Sequence, residues 1–223
     1  MYLVELAGED DYFAAAELEN AAAGVQVVAP GVATVESVDR TAFRHLAFSH
    51  RVSSHLSESE ATVAAARRAL ESKPIDRTGS VAVRARDVRG TAGVDTQTVE
   101  IELGTVLSAA GCDVDLEDPD HELLALFAGE RCYLGWTVAE SVRDFGTRAP
   151  TDRPFFQPGS MDPLLARAVV NLAGVQEGER VLDPMCGTGG LLLEAGLVGA
   201  RPVGFDAQSS MVEGTRRNLD VYI

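Results

Sequence analysis

The sequence has almost no lysine, and its charge is strongly one-sided. Its 223 residues include 34 acidic and 19 basic residues, and Lys73 is the only lysine. A net charge of −15 ordinarily argues against nucleic-acid binding, because phosphates repel a carboxylate-rich surface. The same composition indicates adaptation to high salt, where carboxylates keep a protein hydrated. The Debye length at 1 M salt is only about 3 Å, so in that setting the charge excludes RNA only weakly.

Cysteines and long apolar runs are also scarce. Cys112, Cys132 and Cys186 are far apart and form no CxxC pair, so neither a disulfide framework nor a metal site is indicated. No apolar stretch reaches the roughly 18 residues that cross a bilayer. Residues 1–6 lack the basic start of a signal peptide. We therefore expect a cytoplasmic protein with no membrane partner and no metal.

The first 140 residues alternate short strands and helices in two α+β units. Strand patterns at 2–7, 25–28 and 32–38 surround an alanine-rich helix at 9–23, which is the β-α-β-β order of half a ferredoxin-like sheet. Asp39 is a potential cap for a short helix to residue 47. A second unit is predicted with strands at 51–56, 80–88, 113–116, 122–127 and 132–138 and helices at 57–70 and 96–110. Its first helix is predicted from the capping-box spacing of Ser57 and Glu60.

The last part of the chain has the pattern of a doubly wound α/β sheet. Asp162 and Pro163 predict a helix start. The order that follows is a buried strand at 180–182, a glycine turn, a helix at 191–198 and a strand at 202–205, with a further helix at 211–219. We predict four segments: a ferredoxin-like domain at 1–48, an RNA-binding domain at 49–140, a linker at 141–152, and the start of a Rossmann-type domain at 153–223.

The glycine turn at residues 187–190 carries most of the chemical signal. Glycines allow the backbone to bend sharply and to approach a ligand closely. The turn is not a dinucleotide GxGxxG motif, because Leu192 occupies the sixth position counted from Gly187. Asp183, at the end of the preceding strand, would repel a phosphate and suits a cationic ligand such as the amino-acid end of S-adenosylmethionine. Asp206 ends the next strand, where a carboxylate accepts hydrogen bonds from ribose hydroxyls. A plain βα turn is the structural alternative.

Several runs together resemble a known family. The runs are Arg-Pro-Phe-Phe-Gln-Pro-Gly-Ser-Met at 153–161, Val-Leu-Asp-Pro-Met-Cys-Gly-Thr-Gly-Gly at 181–190 and Glu-Ala-Gly at 194–196. They resemble the archaeal tRNA guanine-N2 methyltransferases that form N2-methyl- and dimethylguanosine at tRNA position 10. Residues 114–120 and Cys-Tyr-Leu-Gly-Trp at 132–136 resemble the end of a THUMP domain, the RNA-binding module of that family. The resemblance implies S-adenosylmethionine as cofactor and tRNA as partner.

The resemblance also implies the site residues. The residues that match the family's cofactor loop are Asp183, Cys186, Gly187, Thr188, Gly189, Gly190 and Asp206. Phe156, Pro158 and Met161 match the segment that closes over the cofactor, although such residues before a helix are often only packing. Arg84, Arg86 and Arg89 are candidate contacts to RNA phosphates, with pairing to nearby carboxylates as the alternative. Cys186 is not expected to act as a nucleophile, and His121 is predicted to lie in a solvated turn.

One expected motif has no counterpart. Family members carry Asp/Asn-Pro-Pro-Tyr/Phe after the fourth strand of the catalytic sheet, where it holds and stacks the target guanine. No residues match it, so no catalytic residue is assigned. We expect a truncated product or one piece of a split gene, with a separate C-terminal fragment as a possible partner of a monomeric chain. The chain alone is expected to be inactive.

Two further hypotheses belong to other classes. The chain could be a non-catalytic THUMP protein that binds RNA without using a cofactor. It could also belong to a methyltransferase that modifies a small molecule or another RNA position, such as tRNA position 6. The THUMP-like segment argues against a small-molecule enzyme, and the Gly-Thr-Gly-Gly turn with the Arg-x-Phe-Phe-x-Pro run favours position 10.

Overall fold

The computed structural model describes all 223 residues, Met1–Ile223. They form two compact units: unit 1 contains Met1–Phe43 and Ser49–Glu140, and unit 2 contains Arg44–Phe48 and Ser141–Ile223. None of the helices combines the length and apolarity that crossing a bilayer requires.

Unit 1 is built on a mixed β-sheet. Its strands are β1 (Tyr2–Leu6), β2 (Ala22–Ala23), β3 (Gln26–Ala29), β4 (Val32–Val35), β5 (Ser37–Val38), β6 (Ser49–Glu60), β7 (Ser80–Asp87), β8 (Asp113–Val114), β9 (His121–Ala128) and β10 (Arg131–Glu140). Eight of them form one sheet in the order β3-β4-β1-β6-β10-β9-β7-β8, and β2 pairs with β5 separately. β7 runs parallel to both β8 and β9, which makes this end of the sheet a parallel one.

Four helices accompany the strands of unit 1. They are α1 (Asp11–Leu18), α2 (Arg40–Phe43), α3 (Val63–Glu71) and α4 (Thr96–Ala109). The predicted helix at 9–23 is too long, because Ala22 and Ala23 instead pair with Val38 and Ser37 in a short antiparallel ladder. The helix predicted from residue 39 to 47 is likewise reduced to one turn.

The helix predicted to start at Ser57 is wrong, and its failure has a clear cause. β6 continues to Glu60 because β10 pairs with it as far as the Arg131↔Glu60 position. Backbone groups already bonded in a ladder are not available to begin a helix. The helix starts later, where the Thr62 side chain accepts a hydrogen bond of 3.2 Å from the Ala65 N–H.

The main core of unit 1 lies between the sheet and helices α3 and α4. It contains Leu103, Leu123, Phe127, Leu134 and Trp136, together with other buried apolar side chains. β9 supplies an almost continuous apolar run, which is typical of a strand buried on both faces.

The two segments of unit 1 share one sheet. β1 pairs with β6, so the predicted division between residues 48 and 49 does not separate two compact bodies. The predicted linker at 141–152 belongs to unit 2 and contains the 3-10 turns Phe145–Arg148 and Pro150–Asp152. Its Phe145 and Arg148 side chains are buried.

Unit 2 has the predicted strand, turn, helix, strand order. Its elements are α5 (Pro163–Leu172), β11 (Arg180–Asp183), α6 (Gly190–Leu197), β12 (Arg201–Gly204) and α7 (Ser209–Tyr222). β11 and β12 pair in parallel, and Val170, Ala195 and Ala200 form a small core beside them. The predicted start of α5 is confirmed: the Asp162 carboxylate accepts a 2.8 Å hydrogen bond from the Leu164 N–H. This arrangement brings the ends of β11 and β12 to the glycine turn.

Candidate functional site

The glycine turn joins β11 to α6 and has the backbone that its sequence predicts. Gly187 and Gly189 both have positive φ angles, of 51° and 82°, and this left-handed region favours glycine. A side chain at Gly189 would place its Cβ 2.6 Å from Thr215 Cγ2. The turn therefore packs against α7 through a glycine that no larger residue can replace without a shift.

Hydrogen bonds from neighbouring elements hold the turn in place. The Gly187 N–H donates to Asp206 Oδ2 at 3.0 Å, and the Thr215 hydroxyl donates to the Gly187 carbonyl at 2.8 Å. The other Asp206 oxygen accepts from the Gln208 N–H at 2.9 Å. In the structure, Asp206 thus fixes the conformation of the turn, whereas its predicted contact to ribose remains a prediction.

A cavity of about 220 Å³ lies over the turn. This volume falls below the roughly 300 Å³ at the small end of pockets that enclose whole ligands, so the cavity suits part of a nucleoside cofactor. Seven of the ten predicted cofactor residues line it: Asp183, Cys186, Gly187, Thr188, Gly190, Pro158 and Met161.

The other three predicted cofactor residues lie outside the lining. Gly189 is the turn residue that packs against Thr215 of α7. Asp206, just after β12, accepts a hydrogen bond from the Gly187 N–H. The Phe156 side chain is 43% exposed. The sequence pattern thus located the cavity, while three of its residues occupy supporting or exposed positions.

Asn218 on α7 is a site residue that the sequence did not reveal. Its side chain is fully buried, and its amide donates to the carbonyls of Phe155 and Thr188, each at 2.9 Å. Its oxygen accepts from the Phe155 N–H at 2.8 Å. Asn218 thereby joins the segment before α5 to the glycine turn. No local pattern signals this role, because its partners are 30 and 63 residues away in the chain.

Cys186 lies in the cavity wall but lacks the surroundings of a nucleophile. Burial, as the largest cause, raises the pKa of its thiol above the ordinary value, and the carboxylates of Asp183 and Asp206 act in the same direction. A raised pKa keeps the thiol protonated, whereas the thiolate is the reactive form. That Cys186 performs no covalent step stays a prediction.

A buried ion network is centred on Glu194 of α6, one helical turn after Gly190. Glu194 is fully buried and accepts hydrogen bonds from Arg148 at 2.6 and 3.1 Å. Arg167 pairs with the same carboxylate at 2.8 Å. The network ties the 3-10 turn at 145–148 and α5 to α6, so the segment predicted as a linker helps to position the glycine turn.

Arg153 adds a third buried arginine to this region. Its Nε donates to the Arg148 carbonyl at 3.0 Å, whereas Nη1 and Nη2 have no hydrogen-bond partner. Burial lowers the pKa of its guanidinium, and the attraction of Glu194 partly offsets that effect. Nη1 would lie 3.5 Å from a Cβ built at Gly190, so this charge is next to the start of α6.

The three arginines predicted to bind RNA are all paired with carboxylates in unit 1. Arg84 Nε lies 3.2 Å from Glu122, Arg86 Nε lies 3.9 Å from Glu5, and Arg89 Nη2 lies 2.5 Å from Asp11. They occupy β7 and the turn after it. RNA contact through them requires phosphate to replace or share these carboxylate partners.

Parallel strands joined through a glycine turn and helix, with a carboxylate at each strand end, are the arrangement of a Rossmann-type α/β domain. Residues 150–222 match the family model described as UPF0020, RMKL-like methyltransferase domain.

Curated relatives extend the match beyond that domain. A tRNA (guanine(10)-N2)-dimethyltransferase of Methanothermobacter thermautotrophicus is 48% identical over 145 residues, which are 64% of this chain and 43% of that protein. The enzyme of the same name from Methanocaldococcus jannaschii is 39% identical over 66% of this chain and 44% of its own length. The chain is similar to these tRNA methyltransferases and spans less than half of their length.

Solved structures show the same architecture. TrmN from Thermus thermophilus matches with a TM-score of 0.57 and 26% identity, covering 99% of this chain and 69% of that one. A putative methyltransferase solved in complex with SAH matches with a TM-score of 0.52 and 13% identity, covering 98% of this chain and 71% of its own. The second likeness concerns the fold alone.

Proposed function

We propose that this chain is the cofactor-binding and RNA-binding portion of an S-adenosylmethionine-dependent tRNA methyltransferase that forms N2-methyl- or dimethylguanosine at position 10. The observation that carries the proposal is the glycine turn, whose Gly187 and Gly190 line a cavity beside the Asp183 carboxylate. The 48% identity to a position-10 enzyme supports the choice of reaction.

The residues present fit one part of the cofactor. Gly187 has no neighbour within 4 Å of a Cβ built on it, so its backbone leaves open space for a ligand. Asp183 places negative charge at the cavity, which favours the cationic amino group and sulfonium of the cofactor. The bound cofactor supplies the methyl group from its sulfonium. The chain's own contribution is to hold the turn rigid through Asp206, Thr215 and Asn218.

No residue of this chain is assigned to binding the guanine that accepts the methyl group. The guanine amino group must be held by the Asp/Asn-Pro-Pro-aromatic motif, which residues 1–223 do not contain. The proposal includes a separate C-terminal fragment that carries this motif. Mixing this chain with that segment is expected to produce methyl transfer, and neither part alone is expected to do so.

Unit 1 is proposed to hold the tRNA. In this proposal residues 1–48 are the ferredoxin-like domain, residues 49–140 the THUMP domain, residues 141–152 the connection, and residues 153–223 the cofactor domain. Arg84, Arg86 and Arg89 are retained as candidate phosphate contacts. The chain is proposed to be a monomeric cytoplasmic protein of a high-salt organism, consistent with its 34 acidic residues and single lysine.

Calorimetric titration of the chain with S-adenosylhomocysteine tests the cofactor proposal. We expect saturable binding that Asp183→Asn weakens by roughly ten- to a hundredfold, because one charge-assisted contact contributes about 1.5–3 kcal/mol. Asp220→Asn, at an exposed position of α7, serves as the matched control and should bind like the unmodified chain. Absence of binding, or equal losses in both variants, would contradict the proposal.

Position 6 of tRNA is the second candidate. A tRNA (guanine(6)-N2)-methyltransferase of Thermus thermophilus is 35% identical over 128 residues, and TrmN shares the fold. The higher identity to the position-10 enzymes favours position 10. Mapping the methylated guanine in tRNA treated with the completed enzyme decides between them. A chain that binds tRNA but not the cofactor would support the non-catalytic hypothesis.

A further inference from the structure

A second cavity, in unit 1, has a composition that is unusual for this chain. Its volume is about 370 Å³, and its lining includes Tyr2, Arg40, Arg77, His121 and Trp136 but no carboxylate. The chain as a whole is acidic, with 34 acidic and 19 basic residues. This cavity instead has two arginines and a histidine in its lining and no acidic residue, so it is electropositive. The volume lies within the roughly 300–1,000 Å³ typical of small-ligand pockets.

Two of these side chains pack against the Trp136 ring. The Arg77 guanidinium carbon lies 5.4 Å from the centroid of the Trp136 ring, within the range of a cation–π contact. The His121 ring meets the same indole edge to face, with centroids 6.3 Å apart and planes at 74°. The prediction that His121 is a solvated turn residue is therefore corrected: it begins β9 and packs against the only tryptophan of the chain.

The two arginines lack the carboxylate partners that other arginines of unit 1 possess. Arg84 and Arg89 are held by Glu122 and Asp11, whereas Arg40 and Arg77 take part in no ion pair. Arg77 Nε is buried and has no hydrogen-bond partner. A buried donor without a partner is costly unless a ligand or water satisfies it. The cavity therefore contains positive charge and a hydrogen-bond donor, Arg77 Nε, that has no acceptor.

We propose that this cavity binds one nucleotide, whose phosphate is held by Arg40 and Arg77 and whose base packs beside Tyr2, His121 and Trp136. Guanidinium groups bind phosphate through charge-assisted hydrogen bonds, and aromatic rings give a surface on which any base can stack. The nucleotide is either free or part of a single-stranded RNA, since the recognised chemistry is the same. The site is distinct from β7, which carries Arg84 and Arg86.

The fluorescence of Trp136 provides a direct measurement, because no other tryptophan contributes to the signal. The whole chain is titrated with a single-stranded RNA tetranucleotide and, separately, with adenosine monophosphate at fixed ionic strength. We expect saturable quenching, and we expect Arg40→Gln and Arg77→Gln each to weaken binding by about tenfold. Arg68→Gln, an exposed arginine of α3, is the matched control and should change affinity less than twofold.

The two ligands identify the source of the nucleotide. Tighter binding of the tetranucleotide assigns the cavity to an RNA strand, and equal binding of the monophosphate assigns it to a free nucleotide. Quenching by neither ligand, unchanged affinity in the Arg40 variant, or an equal loss in the Arg68 variant would overturn the proposal. Arg40 is exposed on α2, so its replacement tests the cavity even if the Arg77 variant does not fold. Binding of S-adenosylhomocysteine, measured in parallel, reports on the methyltransferase proposal independently.

Discussion

Replacing Glu194 with glutamine tests whether the buried ion network holds unit 2 together. The carboxylate accepts two hydrogen bonds from Arg148 and one from Arg167, at 2.6, 3.1 and 2.8 Å. Glutamine keeps one acceptor oxygen but directs an amide donor at a guanidinium. It also leaves the buried side chains of Arg148, Arg153 and Arg167 without the negative charge of the Glu194 carboxylate.

The expected magnitude follows from the burial of the network. Arg148 and Glu194 have side-chain exposures of 2% and 0%, so solvent screens their interaction little. Removing one partner of a buried ion pair costs about 3–5 kcal/mol because the other charge remains unpaired. Arg167 is left in this way, whereas Arg148 keeps its pair with Asp144 at 2.8 Å, so the expected loss is at the lower end, about 3 kcal/mol. The whole stability of a domain is about 5–15 kcal/mol. The substitution should therefore remove a large fraction of the stability of unit 2.

Urea unfolding followed by far-ultraviolet circular dichroism measures this loss, since Trp136 lies in unit 1 and does not report on α6. Glu213→Gln, whose side chain is 65% exposed, is the control and should change stability by less than about 0.5 kcal/mol. Adding Arg167→Met to Glu194→Gln should recover part of the loss, because it removes one uncompensated charge. A loss below about 1 kcal/mol for Glu194→Gln would refute the reasoning.

Three further substitutions have defined outcomes. Gly189→Ala should lower the melting temperature and the affinity for S-adenosylhomocysteine together, because its Cβ would lie 2.6 Å from Thr215 at a positive φ. Asn218→Ala should cost about 1–3 kcal/mol in urea unfolding, since it leaves buried carbonyls without donors. Glu5→Gln should raise stability at pH 7, because burial raises the pKa of Glu5 despite nearby Arg86 and Arg51. The gain should disappear as the pH falls through the raised pKa toward the ordinary value of 4.5, where the native carboxyl is protonated.

Each of these predictions has a control or a contradicting result. Gly190→Ala places its Cβ at ordinary contact distances of 3.5 Å and more, so it should be tolerated better than Gly189→Ala. For Asn218, unchanged cofactor affinity in a folded variant would show that joining Phe155 to Thr188 does not shape the cavity. For Glu5, the linkage has a fixed sign: a raised native pKa penalises the ionised form, so the stability difference must grow as the pH rises. A difference that is constant with pH would contradict burial as the cause.

The sequence predicted those elements whose signals are local. The β11, turn, α6, β12 series follows from a short apolar strand, three glycines and a second apolar strand, and the structure confirms it. The helix expected at Ser57 failed because pairing with β10, more than 70 residues later in the chain, outweighed a local capping pattern. A ladder partner that is distant in sequence leaves no trace in the spacing of nearby residues.

The candidate site also combines features that local sequence patterns indicate with features that form only when distant segments meet. Gly187, Gly190 and Asp183 line the cavity over the turn, and their spacing was readable in the sequence because it reflects the backbone that a close approach requires. Asn218 and the pairing of Arg148 with Glu194 were missed, since each depends on elements that meet only after folding. The electropositive cavity in unit 1 was missed for the same reason: Arg40, Arg77 and Trp136 come from three separate segments.

The long strand β6 has a consequence for the order of folding. It pairs with β1 on one side and with β10 on the other, so the amides of Ser49–Glu60 cannot all be protected until residue 140 has been synthesised. Contacts at such sequence separation slow folding, because the loop must close before the ladder stabilises it. The nascent chain therefore exposes an open strand edge during much of its synthesis. In native-state hydrogen exchange, β6 should be among the last segments of unit 1 to exchange, and it should open together with β10.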